Sequence, residues 1–328
     1  MKKNILSNEN PPILNNFLNY LVAVRGYSVQ TIKAYNSDLI MFFKFIKEYM
    51  NLKIPIKDFS SFVLMQVKKS DIIAFLVYLN YTKDNIACTR QRKLSAIRRF
   101  YKWLLYTIPS ISMPNPTKDI ENIRKIERLP KYLTLSQAKE VQKIFTLKNS
   151  KYPVRNNAIL TLLLSTGIRA SELISINLED INFNQNSIFI RNGKGHKERY
   201  VYFSNFCREK LIRYIETRNR NTKLDKKEKA LFINHQSKRL GISGLEDICK
   251  KAYKLIGIGD RGYTTHTLRH TSATIIYEYY NQDILLLKKF LGHASIAATE
   301  IYTHISSQKI KEAIEKNPLS EYNTKLVA

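Results

Sequence analysis

The sequence contains few cysteines and no apolar stretch long enough to cross a membrane. Its three cysteines, Cys88, Cys207 and Cys249, lie far apart and form no CxxC pair, so neither a disulfide framework nor a zinc site is expected. The longest apolar run, around residues 158–164, is too short to span a bilayer. No apolar signal core follows residues 1–4, so export is not expected. We therefore expect a globular protein in the reducing cytoplasm, without a membrane anchor.

Acidic residues are also few. The 328 residues include 27 Asp+Glu against 54 Lys+Arg, and the formal net charge is +27. Such an excess favours binding to a polyanion, above all to nucleic acid, although a general composition bias is the alternative. Residues 1–110 hold 17 Lys+Arg and 6 Asp+Glu, and residues 132–328 hold 32 and 18. Because both parts are basic, we expect both to contact the polyanion.

The first hundred residues carry apolar side chains at spacings of three and four, which is typical of amphipathic helices. One predicted helix ends near Gly26, and a second begins after Ser28. Short polar side chains accept backbone N–H groups at helix starts. On this basis we expect Ser70-Asp71 to cap a third helix and Thr89 to cap a fourth.

Residues 111–131 interrupt this helical pattern. Four prolines between residues 109 and 131 punctuate a polar stretch with little periodicity, which we interpret as an interdomain linker. The sequence thus predicts a helical domain over residues 1–110 and a second domain over residues 132–328. A linker of this length allows the two domains to lie on opposite sides of a rod-like ligand.

The second domain is predicted to mix helices with a small β component. An apolar helix is expected over residues 156–165, with Gly167 just after its end. Residues 187–191 and 199–203 are β-prone and flank an Asn-Gly step. This arrangement predicts a hairpin with Lys194 at or near its tip.

Arg169 is the first candidate for chemistry. It follows the glycine that ends the apolar helix and precedes a new helix start, for which Ser171 is the expected cap. The planar fork of an arginine can bind a phosphate through two hydrogen bonds, which a lysine cannot do. Glu172 is placed to orient this fork. The alternative is an ordinary Arg–Glu ion pair at the surface.

A second cationic segment contains His266, Arg269 and His270, and so holds two of the six histidines. A spacing of three residues places His266 and Arg269 on one face of a helix. A cation beside an imidazole suits a phosphoryl oxygen that gains charge in a transition state. The alternative is a metal site at His266 and His270. It is disfavoured because no acidic residue or third ligand lies nearby.

The third segment, Leu291-Gly292-His293, precedes Tyr302 by nine residues counted from the histidine. A glycine permits close approach of the backbone to a ligand. A tyrosine hydroxyl has an ordinary pKa of about 10 and needs nearby cations to react as a phenolate. Since the chain has 20 tyrosines, this chemistry alone does not single out Tyr302.

The order and spacing of these segments resemble the tyrosine recombinase family, particularly its bacterial Xer branch and the related integrases. The resemblance is carried by Arg169, Lys194, His266, Arg269, His270, Leu291-Gly292-His293 and Ile301-Tyr302-Thr303-His304. Further segments agree with the family pattern: residues 167–173, 193–199, 26–39, 92–101 and 115–116. The likeness therefore covers nearly the whole chain. One departure is His196, at a hairpin position where the family pattern leads us to expect a smaller polar residue.

The resemblance implies both a fold and a reaction. The implied fold is mainly α with a small β component. A helical core-binding domain and a mixed α+β catalytic domain would form a clamp around DNA. The implied reaction is a transesterification without metal, ATP or other cofactor, in which Tyr302 attacks the scissile phosphate and forms a 3′-phosphotyrosyl bond. Each active site would cut one strand, so four protomers would assemble on two DNA sites.

The resemblance also implies a role for each further residue of the site. Arg169, Arg269 and His293 would bind the non-bridging phosphate oxygens, where charge accumulates. His266 is the expected proton acceptor for the nucleophile. Lys194, on its hairpin, would protonate the departing 5′ oxygen.

Contacts outside the catalytic site are expected in both domains. The helix over residues 92–102 is the candidate reader of the DNA major groove. Its expected DNA-binding residues are Arg92, Lys93, Arg98 and Arg99. Residues 309–319 resemble a terminal helix that docks on a neighbouring protomer, with a self-packed helix as the alternative. The expected partners are double-stranded DNA and three further protomers, with or without a paralogous recombinase. No membrane and no small-molecule substrate are expected.

The biological role that the resemblance favours is chromosome dimer resolution by site-specific recombination. A mobile-element or phage integrase is the alternative within the family. A type IB topoisomerase uses similar residues but swivels a single duplex. A basic DNA-binding protein without catalysis is the alternative from another class. The motifs alone leave these alternatives open.

Overall fold

The computed structural model describes residues 9–108, 114–124, 130–147, 150–191, 198–222, 224–225, 227–279, 283–292 and 299. The chain divides into two compact units, Met1–Arg128 and Leu129–Ala328. The predicted fold class, mainly α with a small β component, is confirmed. No helix within the described ranges is both long and apolar enough to cross a membrane.

The first unit is built from helices alone in its described part. They are α1 Pro12–Ala23, α2 Val29–Tyr49, α3 Ser61–Met65, α4 Lys69–Tyr81 and α5 Ala87–Thr107. The apolar faces predicted from the sequence meet in one core. Aromatic rings dominate this core: Phe17, Phe43 and Trp103 all contact Phe100, with ring centroids 5.3–6.0 Å apart.

The helix starts in this unit follow the sequence only in part. Helix α2 begins after Ser28 as predicted, and Ser28 caps it by accepting the backbone N–H of Thr31 at 3.3 Å. The two predicted caps are misplaced, since neither Ser70-Asp71 nor Thr89 is the N-cap residue of its helix. Asp71 lies inside α4, where its carboxylate accepts the backbone N–H of Lys68 at 2.8 Å. Helix α5 begins before Thr89, since the backbone N–H of Thr89 already donates to the carbonyl of Ile86 at 2.9 Å.

The segment 114–124, which we interpreted as part of a linker, packs on α5 of the first unit. The Arg98 guanidinium donates to the carbonyl of Ile120 and to the side chain of Asn122 at 2.6 Å. Gln91 accepts the backbone N–H of Ile123 at 2.7 Å. These hydrogen bonds make segment 114–124 a part of the first unit.

A buried ion pair joins α2 to α5. The Asp38 side chain is 2% exposed and the Lys93 side chain 5%, and Lys93 Nζ lies 2.8 Å from Asp38 Oδ1. The half-exposed Arg92 contacts the other carboxylate oxygen of Asp38. A buried charge is costly unless it is paired. The pair therefore fixes how these two helices pack.

Asp38→Asn should lower the free energy of unfolding of the first unit by about 3 kcal/mol, because the buried Lys93 ammonium loses its counter-charge. Trp103, the only tryptophan of the chain, lies in the core of this unit. Its fluorescence during urea unfolding therefore reports on this unit. Asp58→Asn, at an exposed position, is the control and should change stability by less than about 0.5 kcal/mol. Equal stabilities for the two variants would show that the pair contributes nothing.

The second unit contains helices and a small sheet. The elements are α6 Leu135–Leu147, α7 Pro153–Thr166, α8 Ala170–Ser175, β1 Ile181–Asn182, β2 Ser187–Ile190, β3 Arg199–Tyr202, α9 Asn205–Asn219, α10 Ile242–Leu255, α11 Thr265–Tyr279 and α12 Ile284–Leu291. Helix α7 is largely buried and packs against α6, α9 and α11. Its continuous apolar sequence is explained by this central position.

The sheet contains the predicted hairpin. Strands β2 and β3 pair antiparallel, with Ile190 opposite Arg199 and Ser187 opposite Tyr202. Strand β1 adds to the other edge of β2 and was not predicted. The hairpin is confirmed, while its loop, with Lys194, lies outside the described residues. On β3, Val201 is buried in the core, and Tyr200 and Tyr202 are exposed.

Candidate active site

Gly167 ends helix α7 in the way that its sequence predicts. Its φ of 58° is left-handed, and a Cβ at this position would lie 3.0 Å from Cε1 of Phe290. Both the backbone conformation and the close neighbour favour glycine. The turn brings Arg169 to the start of α8. Ser171 does not cap this helix. The carboxylate of Glu172 accepts the Arg169 backbone N–H at 2.8 Å instead.

Glu172 holds two arginines. Its Oε1 accepts from Nη1 of Arg169 at 3.0 Å and from Nη1 of Arg199 at 2.9 Å. Its Oε2 accepts from Nη2 of Arg199 at 2.9 Å. Arg199 therefore binds the carboxylate in a bidentate manner, the strongest geometry for an arginine–carboxylate pair. The structure confirms that Glu172 orients Arg169.

Glu172 is ionised despite its burial. Its side chain is 1% exposed, and this burial alone would raise the pKa of the carboxyl. The hydrogen bond from Arg199, that from the Arg169 backbone and the charges of both guanidinium groups outweigh burial and lower the pKa below its ordinary value. The group is therefore a fixed negative charge between two positive ones at neutral pH.

Arg269 joins two further segments of the predicted site. It lies on α11 and is 5% exposed. Its Nη1 donates to the carbonyl of Gly167 at 2.6 Å, and its Nη2 donates to the carbonyl of Leu291 at 2.8 Å. One guanidinium thus fixes the turn before Arg169 and the end of α12, directly before Gly292.

His266 is one turn before Arg269 on α11. Burial lowers its pKa, and the positive charges of Arg269 and Arg169 lower it further. Arg269 donates to the carbonyl of Gly167, two residues before Arg169, so the side chains of α11 and the start of α8 share one region. Burial also lowers the pKa of His270, to about 4, with His266 and Arg269 contributing. Both imidazoles are therefore neutral at pH 7.

Gly292 follows α12 with a left-handed φ of 62°. A Cβ at this position would lie 2.6 Å from Nε and 2.9 Å from Cζ of Arg199. The backbone of Gly292 therefore packs directly against the Arg199 guanidinium. This contact brings strand β3 next to the residue that precedes His293.

The structure thus brings together Arg169, His266 and Arg269 among the predicted site residues. Lys194, His293 and Tyr302 lie outside the described residues, and their assignment stays a prediction. Among the described residues, no three His, Cys, Asp or Glu side chains are grouped as metal ligands.

The residues expected to bind DNA in the first unit lie on α5 in different settings. Arg92 and Arg99 are exposed, and Arg99 lies over the ring of Tyr27, 5.6 Å from its centroid. Arg98 donates hydrogen bonds to Ile120 and Asn122 of segment 114–124. Lys93 is buried against Asp38, so its placement gives no support to a DNA contact.

The sequence predicted no role in the site for Arg199, although segment 193–199 agrees with the family pattern. The residue is an arginine on a strand whose neighbours Tyr200 and Tyr202 are exposed. Side chains alternate along a strand, so Arg199 shares the inner face with buried Val201, but the sequence does not show what that face contacts. Only the packing of the hairpin against α8 and α12 shows that Arg199 faces the site.

Glu172→Gln should lower the free energy of unfolding by about 3 kcal/mol at pH 7, since two largely buried guanidiniums lose their shared counter-charge. The folded pKa of Glu172 is lowered from its ordinary value of 4.5. This stabilisation is therefore fully present above pH 4.5 and is lost as the pH falls through the folded pKa. Calorimetric unfolding between pH 3 and 8 measures the difference.

The control for this measurement is Glu179→Gln. Glu179 also accepts from an arginine, Arg191, but both side chains are 48% exposed. Exposed ion pairs contribute about 0–1 kcal/mol, so this variant should stay close to the parent at every pH. A Glu172→Gln effect that persists unchanged at pH 3 would contradict the assignment of a lowered pKa.

Comparison with known families covers both units. The model of the phage integrase family matches residues 134–309. The model of the phage integrase N-terminal SAM-like domain matches residues 14–106. Together they span the helices of the first unit and the whole candidate site.

Curated relatives and solved structures agree with these matches. The chain is 36% identical to tyrosine recombinase XerC of Caldanaerobacter subterraneus subsp. tengcongensis, over 95% of this chain and 88% of that protein. It is 33% identical to tyrosine recombinase XerD of Oceanobacillus iheyensis, over 91% and 95% of the two chains.

Among solved structures, a post-cleavage complex of the XerH site-specific recombinase with a palindromic difH substrate shares the fold. Its TM-score is 0.72, with 22% identity over 96% of this chain and 92% of that one. The Tn1549 transposon integrase in complex with transposon right end DNA shares it too, with a TM-score of 0.70 and 16% identity over 94% and 99% of the two chains. The chain therefore belongs to the phage integrase family of tyrosine recombinases, and within that family it resembles the Xer site-specific recombinases.

Proposed function

We propose that this protein recombines double-stranded DNA at specific sites through a covalent intermediate on Tyr302. The phenol oxygen attacks the scissile phosphate, a 3′-phosphotyrosyl bond forms, and the 5′ oxygen of the next nucleotide leaves. The 5′ hydroxyl of a second, identically cut strand then attacks the phosphotyrosine, releases Tyr302 and reseals the DNA. One ester replaces another in each step, so the reaction needs no ATP.

One observation carries this proposal: the buried guanidinium of Arg269 ties together the separate segments that hold the motif residues. It donates to the carbonyls of Gly167 and Leu291. His266 lies one turn before it on α11, and burial and the charges of Arg269 and Arg169 lower the pKa of this imidazole. A cluster of cations held by the protein suits a pentacoordinate phosphate, whose non-bridging oxygens gain charge.

Arg169 is the cation that is best placed to bind the phosphate. Glu172 accepts from one of its three guanidinium nitrogens, and no other acceptor for this guanidinium is found in the described part of the chain. Its side chain is 20% exposed. The fork can therefore offer further N–H groups to two phosphate oxygens.

His266 is the proposed proton acceptor for Tyr302. A general base must be unprotonated before it acts, and burial together with the charges of Arg269 and Arg169 lowers the pKa of His266. The same cations stabilise the phenolate that forms. Lys194 would act as the general acid for the 5′ oxygen, and His293 would donate to a non-bridging oxygen, as the family resemblance implies.

We further propose that the first unit contacts DNA through the exposed arginines Arg92 and Arg99 on α5. The two units would then enclose the duplex as a clamp. Most of these contacts would be to phosphates and would fix the position of the protein on DNA without reading its sequence. The charge of +27 supports such a contact area.

The active assembly proposed is a homotetramer on two DNA sites, with residues 309–319 docking on a neighbouring protomer. The relatives include proteins named XerC and XerD, and the alternative assembly pairs this chain with a paralogous recombinase. The proposed role is chromosome dimer resolution in the cytoplasm. All three cysteines are free thiols, which suits a reducing compartment.

A covalent adduct tests the nucleophile. A duplex that carries the recombination site and a nick beside the scissile phosphate should trap the wild-type protein on DNA, visible as a shifted band under denaturing conditions. Tyr302→Phe should give no adduct and still bind the duplex, since it lacks only the attacking oxygen. Tyr200→Phe, on the exposed face of β3, is the matched control and should react normally. An adduct with the Tyr302→Phe protein would rule out this nucleophile.

A plasmid with two sites separates the remaining functions. In EDTA the protein should exchange the two sites and give two product circles, because the cations of the site replace a metal ion. A topoisomerase would relax a supercoiled plasmid with one site or none, and a non-catalytic DNA-binding protein would leave every plasmid unchanged. Loss of exchange in EDTA would indicate a metal-dependent reaction.

A further inference from the structure

We infer that Arg199 is a positioning residue of the recombination site. It neutralises Glu172, so that Arg169 keeps its charge for the phosphate, and it holds the backbone before His293. The inference rests on the proposed function and adds a residue that the proposed mechanism does not use.

The first support is the geometry at Glu172. The carboxylate is 1% exposed, and it receives two hydrogen bonds from the Arg199 guanidinium, both at 2.9 Å. Arg169 contributes one guanidinium bond to the same group, at 3.0 Å. The bidentate partner of the carboxylate is thus Arg199, and Arg169 is bound more loosely.

The second support is the balance of charge. A glutamate paired with Arg169 alone would cancel the positive charge that the phosphate needs. Arg199 adds a second positive charge, so the three side chains together carry one net positive charge. In this largely buried group, where charges are weakly screened, that difference is large. Glu172 can then orient Arg169 without neutralising it.

The third support is the contact with Gly292. A Cβ on this residue would lie 2.6 Å from the Arg199 Nε, so the backbone lies directly against the guanidinium at its Nε. Arg199 also begins β3, the strand that leaves the hairpin loop of Lys194. One side chain therefore links three segments: the hairpin, the start of α8 and the end of α12.

Single-turnover cleavage of the nicked duplex tests the inference. Arg199→Ala should form the covalent adduct about a hundredfold more slowly, the loss expected when a catalytic group is slightly misplaced. Its Kd for the same duplex should change by less than about threefold, because one charge among many contributes little to binding. Arg199→Lys keeps the charge without the fork and should be slowed by about tenfold.

A double variant separates positioning from a merely structural role. Glu172→Gln removes the charge that Arg199 balances and keeps an oxygen that can accept the Arg169 backbone N–H. In the Arg199→Ala background it should therefore restore adduct formation by about tenfold, since a neutral amide no longer cancels Arg169. If Arg199 only supported the fold, the second substitution would slow the reaction further. Arg213→Ala, exposed on α9, is the charge-matched control and should react like the wild type.

Two results would overturn the inference: an Arg199→Ala protein with the wild-type Tm that cleaves within threefold of the wild type, or a double variant slower than Arg199→Ala. If Arg199→Ala melts below the assay temperature, Arg199→Lys decides the question. Wild-type cleavage by a folded Arg199→Lys protein would then reject the role of the fork. Absence of any adduct with the wild-type protein would instead reject the proposed function, and the role of Arg199 with it.

Discussion

The carboxylate of Glu172 is the group on which the rest of the site depends. It is almost fully buried and accepts from the Arg169 backbone and from two guanidiniums. A buried carboxylate is tolerated only with such partners, and the partners in turn are fixed by it. This one carboxylate therefore sets the start of α8, the direction of Arg169 and the position of β3.

Arg269 extends this arrangement to the remaining segments. Its donors are directed at two carbonyls at the ends of α7 and α12, where helix termini leave such groups without partners inside the helix. The left-handed glycines Gly167 and Gly292 make these helix ends sharp. The cations of the proposed phosphate site are thus built on helix ends and are in place before DNA binds.

The first unit follows a different rule. Its core is apolar and rich in aromatic rings, and the buried pair of Asp38 and Lys93 is an exception. The pair lies on the helices α2 and α5, which also carry the exposed arginines Arg92 and Arg99. The positive side chains on α5 would repel one another and the other positive charges of the unit. Asp38 offsets two of these charges inside the unit, those of Lys93 and Arg92.

The sequence by itself determined the helical character of the first unit, the apolar helix α7, the hairpin and the order of the motif residues. These depend on local periodicity and on residues such as Gly167, whose backbone preference is intrinsic. It misplaced the starts of α4, α5 and α8, since several polar residues near each start could act as the cap.

Only the tertiary structure decided the pairing of Glu172 with Arg199, 27 residues apart, of Lys93 with Asp38, 55 apart, and of Arg269 with Gly167, 102 apart. A charged residue looks the same in sequence whether it faces solvent or a buried counter-charge. Folding brings each charged residue next to its partner. The partner determines whether the charge stabilises the fold, forms part of the site or stays available to DNA.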